Sequence, residues 1–300
     1  MLHYCRMEPG NFGDDLNPWL WSRLAPELMA EQDPRQFIAI GTILGHSLPK
    51  DSEKYIFGAG CGYGRIPRLD SSYRFYGVRG PLTAARLKLP PSMAIGDPAV
   101  LLRQVALATP TKRYKVSFMP HHRSMDCADW AALCQNTSIH LIDPCGSVET
   151  TLAAIQESEL VLAEAMHGAI VADALRVPWI PIRLYSHILK FKWMDWARSL
   201  DLEAPLIDIP PIFQTPLTGK KLIRNSIKRA FGEMRLGKEK WRRLQLGLSS
   251  EGTIDSTLRA LEALAVTHHP LLSSDLAIQS CEERLQERLY ALRRDWNKLR

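Results

Sequence analysis

Leu160-Val161-Leu162-Ala163-Glu164-Ala165-Met166-His167-Gly168-Ala169-Ile170-Val171-Ala172-Asp173-Ala174-Leu175 reads as a strand running into a helix. The apolar run up to Glu164 is of buried-strand type, and a small-residue helical pattern starts near Gly168. His167 stands between them, at the kind of junction where open α/β sheets bind their ligands. The unpaired N–H groups and positive end of a helix suit an anion there. A histidine in that place can carry a proton near neutral pH. It can equally be a polar helix-start residue with a satisfied hydrogen bond, and the local pattern leaves both readings open.

The same alternation continues on either side. Upstream, residues 115–119 and 139–142 read as strands and residues 148–157 as an amphipathic helix. Downstream, 179–182 reads as a strand in which Pro181 is tolerated only near an edge or end, followed by a helix from Phe191. The first third repeats the scheme, with strands expected at 3–5, 37–40, 55–57 and 73–78. Strand–loop–helix alternation in two halves predicts an α/β fold of two Rossmann-like domains facing a cleft. We place the domains at 1–110 and 111–205, with a linker near 107–114, and expect the active site between their loop-bearing edges.

Several loops carry candidate chemistry. In Asn11-Phe12-Gly13-Asp14-Asp15-Leu16-Asn17-Pro18, Asn17 before Pro18 reads as the cap and first residue of a helix. Asp14 and Asp15 then fall in the preceding loop, as turn chemistry or as functional carboxylates. Gly41 opens one glycine loop, and Gly58-Ala59-Gly60-Cys61-Gly62 opens another. The second fails the dinucleotide fingerprint, because Tyr63 and Arg65 stand where its last glycine is required, which ranks a nicotinamide-dependent oxidoreductase last. What remains is backbone that a ligand can approach closely. Arg79, ahead of Gly80-Pro81, sits where a strand ends and a helix begins, and its guanidinium suits phosphate or carboxylate, with a surface salt bridge as the plainer alternative. Asp97 before Pro98 reads as a helix cap. His121-His122 would point to opposite faces of a strand, so no shared metal is expected.

The 300 residues are 46% hydrophobic, enough for a sizeable core. The net charge of +6 hints at anionic partners without calling for nucleic acid. With no apolar leader and no membrane-length apolar run, a cytoplasmic protein is expected, and its six cysteines, none in a CxxC pair, are expected to be reduced thiols. Past residue 205 the texture changes to a helical extension, 206–300. Segment 219–243 carries ten basic residues against two acidic, a local charge of +8. Leu222, Ile223, Ile227, Phe231 and Met234 recur there at near-helical spacing. This reads as a membrane-surface or polyanion contact, or as a solvated helix face. Ile278, Cys281, Leu285, Leu289, Leu292, Trp296 and Leu299 form one apolar seam that either pairs with a second copy or packs back on the chain.

Taken in order, Asn11-Phe12-Gly13-Asp14-Asp15-Leu16, the Gly41 and Gly58 loops, Val78-Arg79-Gly80-Pro81-Leu82-Thr83, Gly96-Asp97-Pro98 and Met166-His167-Gly168-Ala169 resemble the polysaccharide pyruvyl transferase family over roughly residues 3–200. They are most similar to the branch that puts ketal-linked pyruvate on bacterial exopolysaccharides such as succinoglycan or xanthan. The resemblance implies a fold like that of GT-B glycosyltransferases, phosphoenolpyruvate as donor rather than a bound cofactor, and a lipid-linked or polymeric sugar as acceptor. It carries an arginine at the Arg79 position and a histidine at the His167 position into the donor site. The family lysine some twenty residues after the histidine falls here on His187, with Lys190 and Lys192 slightly later. Other branches carry an acidic residue where this chain has Gly80 and an arginine where it has Ala165.

Phosphoenolpyruvate carries a phosphate and a carboxylate, so its site needs cations and N–H donors. We therefore expect Arg79, Arg183 or Lys192, together with Asn11, Gly41, Gly60 and Gly168, to bind substrate. His167 is the candidate acid, and Glu164, Asp14 or Asp15 the group that accepts a hydroxyl proton or orients the histidine. A lipid-linked acceptor would bring the enzyme to the inner face of the membrane. A GT-B glycosyltransferase using a nucleotide sugar is the runner-up, and a basic membrane- or polyanion-binding protein is the non-enzymatic alternative.

Overall fold

In the computed structural model the described chain builds two all-parallel sheets. The structure describes residues 1–214 and 248–298, apart from positions 47, 63, 65, 67 and 109. The basic segment 219–243 and Leu299 of the C-terminal seam lie outside these residues.

The first sheet holds β1 (Gln36–Ile38), β2 (Lys54–Phe57) and β3 (Tyr73–Gly77), side by side in chain order. Single parallel bridges extend both edges, Leu2 to Phe37 and Val78 to Ala94. The strand expected at 3–5 is thus reduced to one bridge at Leu2. β2 is buried along its whole length, as a parallel strand covered on both faces must be.

The second sheet holds β4 (Val116–Met119), β5 (Ile139–Leu141), β6 (Val161–Ala163), β7 (Trp179–Arg183) and β8 (Ile207–Asp208), in the order β5-β4-β6-β7-β8. The chain leaves β4 through α3 (Trp130–Gln135) to β5, then returns through α4 (Val148–Gln156) to β6 on the other side of β4. From β6 it continues outward through α5 (Met166–Ala174) to β7, with α6 (Lys190–Ala197) following. The order reverses between β4 and β6, which opens a crevice at their carboxyl ends. β7 is internal rather than an edge strand. Pro181 is its last residue in register with β6, while pairing with β8 begins at Ile182, so the residue without an N–H sits where one ladder gives way to the next.

The first helix departs from expectation. α1 (Phe12–Leu24) starts six residues before Pro18, with Asn11 at the cap position and Pro18 inside it. A proline there deprives the Asp14 carbonyl of its helical donor. Asn17 supplies the replacement: its Nδ2 donates to Asp14 O at 3.1 Å and to Ile40 O at 2.9 Å, while its Oδ1 accepts from Ile40 N at 3.0 Å. A buried side chain therefore repairs the helix and ties it to the end of β1. Asp14 and Asp15 consequently lie in the first helical turn, not in a loop.

Two C-terminal helices close the molecule. α7 (Glu251–Thr267) lays Leu261 and Leu264 against Phe118, Trp130 and Leu162 of the second half. α8 (Asp275–Lys298) buries Ile278, Cys281, Leu285, Leu289, Leu292 and Trp296 within the same chain, so the apolar seam packs back on its own chain. Trp296 meets Tyr55 edge-on at 4.7 Å, and the Arg35 guanidinium lies 4.0 Å from the Trp296 ring. One continuous apolar cluster runs from Phe12 and Phe37 through Met119 and Ile170 to Trp296, joining both sheets and α8. No helix among the described residues is long and apolar enough to cross a membrane.

Candidate functional site

The crevice predicted by the strand order is a cavity of about 320 Å³. Its walls come from the first turn of α1 (Asn11, Gly13, Asp14), the loop after β1 (Gly41, Thr42), the loop after β4 (His121, His122, Arg123), the β6–α5 junction (Ala165, His167) and Lys192 on α6. His46 also lines it. Two helices of nine or more residues, α1 and α5, present their N-termini to this space, and the cap residue of α5, Ala165, has no side-chain oxygen to offer.

His167 is the second residue of α5 and is wedged from two sides. On one side stands Gly13, where a Cβ would lie only 2.0 Å from His167 Nδ1, so the imidazole occupies space that any other residue at position 13 would fill. On the other side His167 Nε2 lies 3.7 Å from Asp97 Oδ2, and neither atom has a hydrogen-bond partner although both are buried. Asp14 faces the same cavity. Its Oδ2 accepts from Asn11 Nδ2 at 2.5 Å, and burial pushes its carboxyl above the usual range, with His167, Asn11 and Lys192 pulling it back. Gly41, at φ +130°, leaves space for Asp14 Oδ1.

Other candidates lie behind this surface. Glu164 is fully buried and does not border the cavity. It accepts from Ser124 Oγ at 2.6 Å, Leu184 N at 3.0 Å, His121 N at 3.1 Å and Tyr185 N at 3.3 Å. Burial pushes this carboxyl up, and the same hydrogen bonds pull it down. Its work is to pin the loops after β4 and β7 to the end of β6. Asp15 accepts from Asn11 N at 2.9 Å and closes the first turn of α1.

Arg79 is 0% exposed. Its guanidinium donates to Thr42 Oγ1 at 2.9 Å, Cys61 O at 3.2 Å and Asp195 Oδ2 at 3.3 Å. It reaches the cavity only through Thr42. Gly60 makes this possible, because a Cβ there would stand 2.3 Å from Arg79 Cζ. Asp195 also accepts from Thr83 N at 2.8 Å and Thr83 Oγ1 at 2.6 Å, so α6 is clamped onto the start of α2 (Pro81–Arg86). Gly80 lies so close to α6 that a Cβ would stand 1.9 Å from Asp195 O, which leaves no space for the acidic residue of other branches. Arg183 pairs with Asp208 through two contacts of 2.7 Å and does not line the cavity. Gly168 does not line the cavity; a Cβ there would stand 2.6 Å from Sδ of Met119, which does.

From sequence Asp97 reads as a helix cap and His121-His122 as two faces of a strand; the structure adds the approach of Asp97 to His167 and brings the two histidines together. The opposite-faces rule holds for strands, but β4 ends at Met119, and after Pro120 the chain turns into a short 3-10 helix, His122–Ser124. His121 caps that helix, its ring 4.2 Å from that of His122 and 5.0 Å from that of His187. Pro120, as a strand breaker, was the available signal. Burial, reinforced by neighbouring positive charges, holds His121 well below its ordinary range, His122 down to about 4 and His187 down to about 3. Lys192 and not His187 lines the cavity. Among the described residues no group of three or more His, Cys, Asp or Glu side chains is arranged to hold a metal.

This geometry spans the stretch that matches a known family: the sequence model of polysaccharide pyruvyl transferases matches residues 14–186. The chain belongs to the polysaccharide pyruvyl transferase family. The matched stretch contains Asp14, Arg79, Asp97, Glu164 and His167 and ends before Lys192. Over 202 residues the chain is 40% identical to the succinoglycan biosynthesis protein ExoV of Rhizobium meliloti (strain 1021). That similarity covers 66% of this chain and 64% of the relative, so the chain spans less than two thirds of its relative's length. No solved structure matches the chain.

Proposed function

We propose that this family member transfers pyruvate from phosphoenolpyruvate to a sugar of a bacterial exopolysaccharide repeat, forming a cyclic ketal and releasing phosphate. In this reading the two sheets are the halves of a GT-B-like enzyme, and the donor lies at the carboxyl ends of β4 and β6. The observation that carries it is the placement of His167 in a small cavity that also receives two helix N-termini, Lys192 and Arg123. Helix N-termini and cations suit the phosphate and carboxylate of the donor.

The donor's C2 becomes electrophilic only when its methylene carbon is protonated. His167, as imidazolium, gives that proton, and the oxocarbenium-like centre is attacked by one sugar hydroxyl. A second hydroxyl then displaces phosphate and closes the ketal. Asp14 is the carboxyl on the cavity wall that can take or share a hydroxyl proton, and burial raises it in the direction that favours proton uptake. The neutral imidazoles of His121 and His122 can both accept and donate hydrogen bonds to sugar hydroxyls.

Incubation with phosphoenolpyruvate and a panel of lipid-linked and aryl glycosides tests the proposal. Acceptor-dependent phosphate release with a pyruvyl mass gain on the sugar is the expected result. Nucleotide release from a sugar donor, with phosphoenolpyruvate untouched, would instead establish a glycosyltransferase.

A further inference from the structure

The Gly96-Asp97-Pro98 turn is a sequence motif that the chemistry above does not use. Asp97 is 1% exposed, and its two oxygens have different fates. Oδ1 accepts from Ala99 N at 3.0 Å and caps the 3-10 helix Pro98–Gln104. Oδ2 has no hydrogen-bond partner and faces His167 Nε2 across 3.7 Å, the nitrogen that is likewise buried and unpartnered. A buried polar atom left unsatisfied is destabilising, so two such atoms facing each other call for a function.

The turn is built without slack. At Gly58, with φ +73°, a Cβ would stand 2.3 Å from Pro98 Cγ. At Gly96, with φ +108°, it would stand 2.2 Å from Cys281 Sγ on α8. α8 therefore braces the turn from behind, and Gly13 bounds the His167 ring on its far side. The carboxylate is brought to the imidazole by elements far apart in the chain.

We propose that Asp97 is the positioning residue of His167: Oδ2 accepts a hydrogen bond from Nε2–H and holds the imidazolium, which leaves Nδ1, on the Gly13 side of the cavity, to exchange the proton with substrate. This rests on the phosphoenolpyruvate reading. The gap of 3.7 Å closes to hydrogen-bond length when the ring carries its second proton, as catalytic hydrogen bonds commonly tighten on going from the resting enzyme to the complex. The Nδ1–H bond then breaks as the enol π pair forms the new methyl C–H bond, and the positive charge passes to C2. The first sugar hydroxyl bonds to C2 and returns its proton to Nδ1. Attack by the second hydroxyl breaks the bond from C2 to the phosphate oxygen, and phosphate departs with the electron pair and that hydroxyl's proton. Asp97 stays ionised throughout, as the carboxylate of a catalytic triad does.

Asp97→Asn tests this, because asparagine caps as well as aspartate and the helix start is preserved. The charged groups facing His167 are Asp97 from this turn and Asp14 from α1, with Lys192 of α6 coupled to Asp14 across the cavity. The variant changes only the first. We expect kcat to fall by about 100-fold or more, as when a triad carboxylate is neutralised, with KM for phosphoenolpyruvate changed by less than about threefold. The high-pH limb of the kcat profile should move to lower pH by about one unit. In the resting protein, the His167 ring resonances, assigned by their loss in His167→Gln, should titrate at lower pH in the variant. If Asp97→Asn unfolds, Asp97→Ser keeps a capping oxygen without the charge. Wild-type kcat and an unmoved titration would leave Asp97 a helix cap only and overturn the proposal. If no phosphate is released from phosphoenolpyruvate by the wild-type chain, the functional reading fails, while the ring titration still decides the pairing.

Discussion

The junctions after β3 and after β6 have the same local grammar: a strand ends, a charged or titratable residue follows, and a helix begins. Arg79 marks the first and His167 the second. Tertiary structure gives them opposite fates. At the first junction an anion does sit on the helix N-terminus, but it belongs to the protein: Asp195 accepts from Thr83 N and from Arg79. Charge, donors and acceptor satisfy one another in a dry interior, and the result is a strut that holds α6, with Lys192 one turn before Asp195. At the second junction no side chain among the described residues caps the helix start, and it opens on a cavity. Local sequence marks a place where an anion can bind; whether the chain itself supplies that anion depends on what packs opposite.

The largest expected effect is at the open junction. His167→Ala should lower turnover by about 10²–10⁴-fold, the usual contribution of a general acid, while calorimetry still detects phosphoenolpyruvate binding. Near-normal turnover would break the comparison. At the closed junction the main loss should be in folding. Arg79→Ala strands the Asp195 carboxylate in a site that is 0% exposed, and removal of one partner of a buried pair is destabilising by about 3–5 kcal/mol. Denaturant unfolding measures this. A double variant, Arg79→Met with Asp195→Leu, should recover much of that stability because no lone charge remains buried. If Arg79→Ala instead folds with wild-type stability and loses only donor binding, the two junctions are alike after all.

A smaller effect concerns the imidazoles beside the cavity. His122 and His187 lie in the fold at about 4 and about 3, below the ~6.5 of an unperturbed histidine. As pH falls through the interval between those values, the unfolded chain takes up protons that the folded chain refuses, so stability declines with acidification. Asp14 and Glu164, pushed up by burial, act in the opposite sense as pH falls. Melting temperatures between about pH 7 and pH 4.5 should therefore fall, and less steeply for His187→Gln than for the wild type. A slope unchanged in that variant would place the titration elsewhere. The smallest effect is expected for Arg183→Ala. Its Asp208 partner is 43% exposed, so the loss should be about 0–1 kcal/mol with turnover within about twofold of wild type.

Much of the fold was legible from periodicity. The parallel strands β1 to β7, the helix after His167 and the apolar seam of α8 follow from runs and spacings that act over a few residues, whereas β8 lies in the stretch expected to be a helical extension. The misreadings have identifiable causes. The Asn17-Pro18 pair looked like a helix start because the local rule cannot see Ile40, whose backbone holds Asn17 and lets the helix run on. His121-His122 reads as two faces of a strand only if the strand runs past Pro120, and β4 ends at Met119. Asp97 looked like a cap and is one, yet its second oxygen faces a ring 70 positions away in the chain.

The sequence by itself determined the α/β alternation, the junctions and the order of motifs that places the chain in its family. These rest on backbone dihedral preferences, local hydrogen bonds and apolar periodicity, all short-ranged along the chain. The tertiary structure alone decided which junction is sealed and which is open, that Lys192 reaches the cavity, that α8 folds back behind the Asp97 turn, and that His167 sits between Gly13 and Asp97. Those outcomes depend on desolvation and on where a partner atom stands, and the atoms concerned come from segments that meet only when both sheets and α8 close on one core.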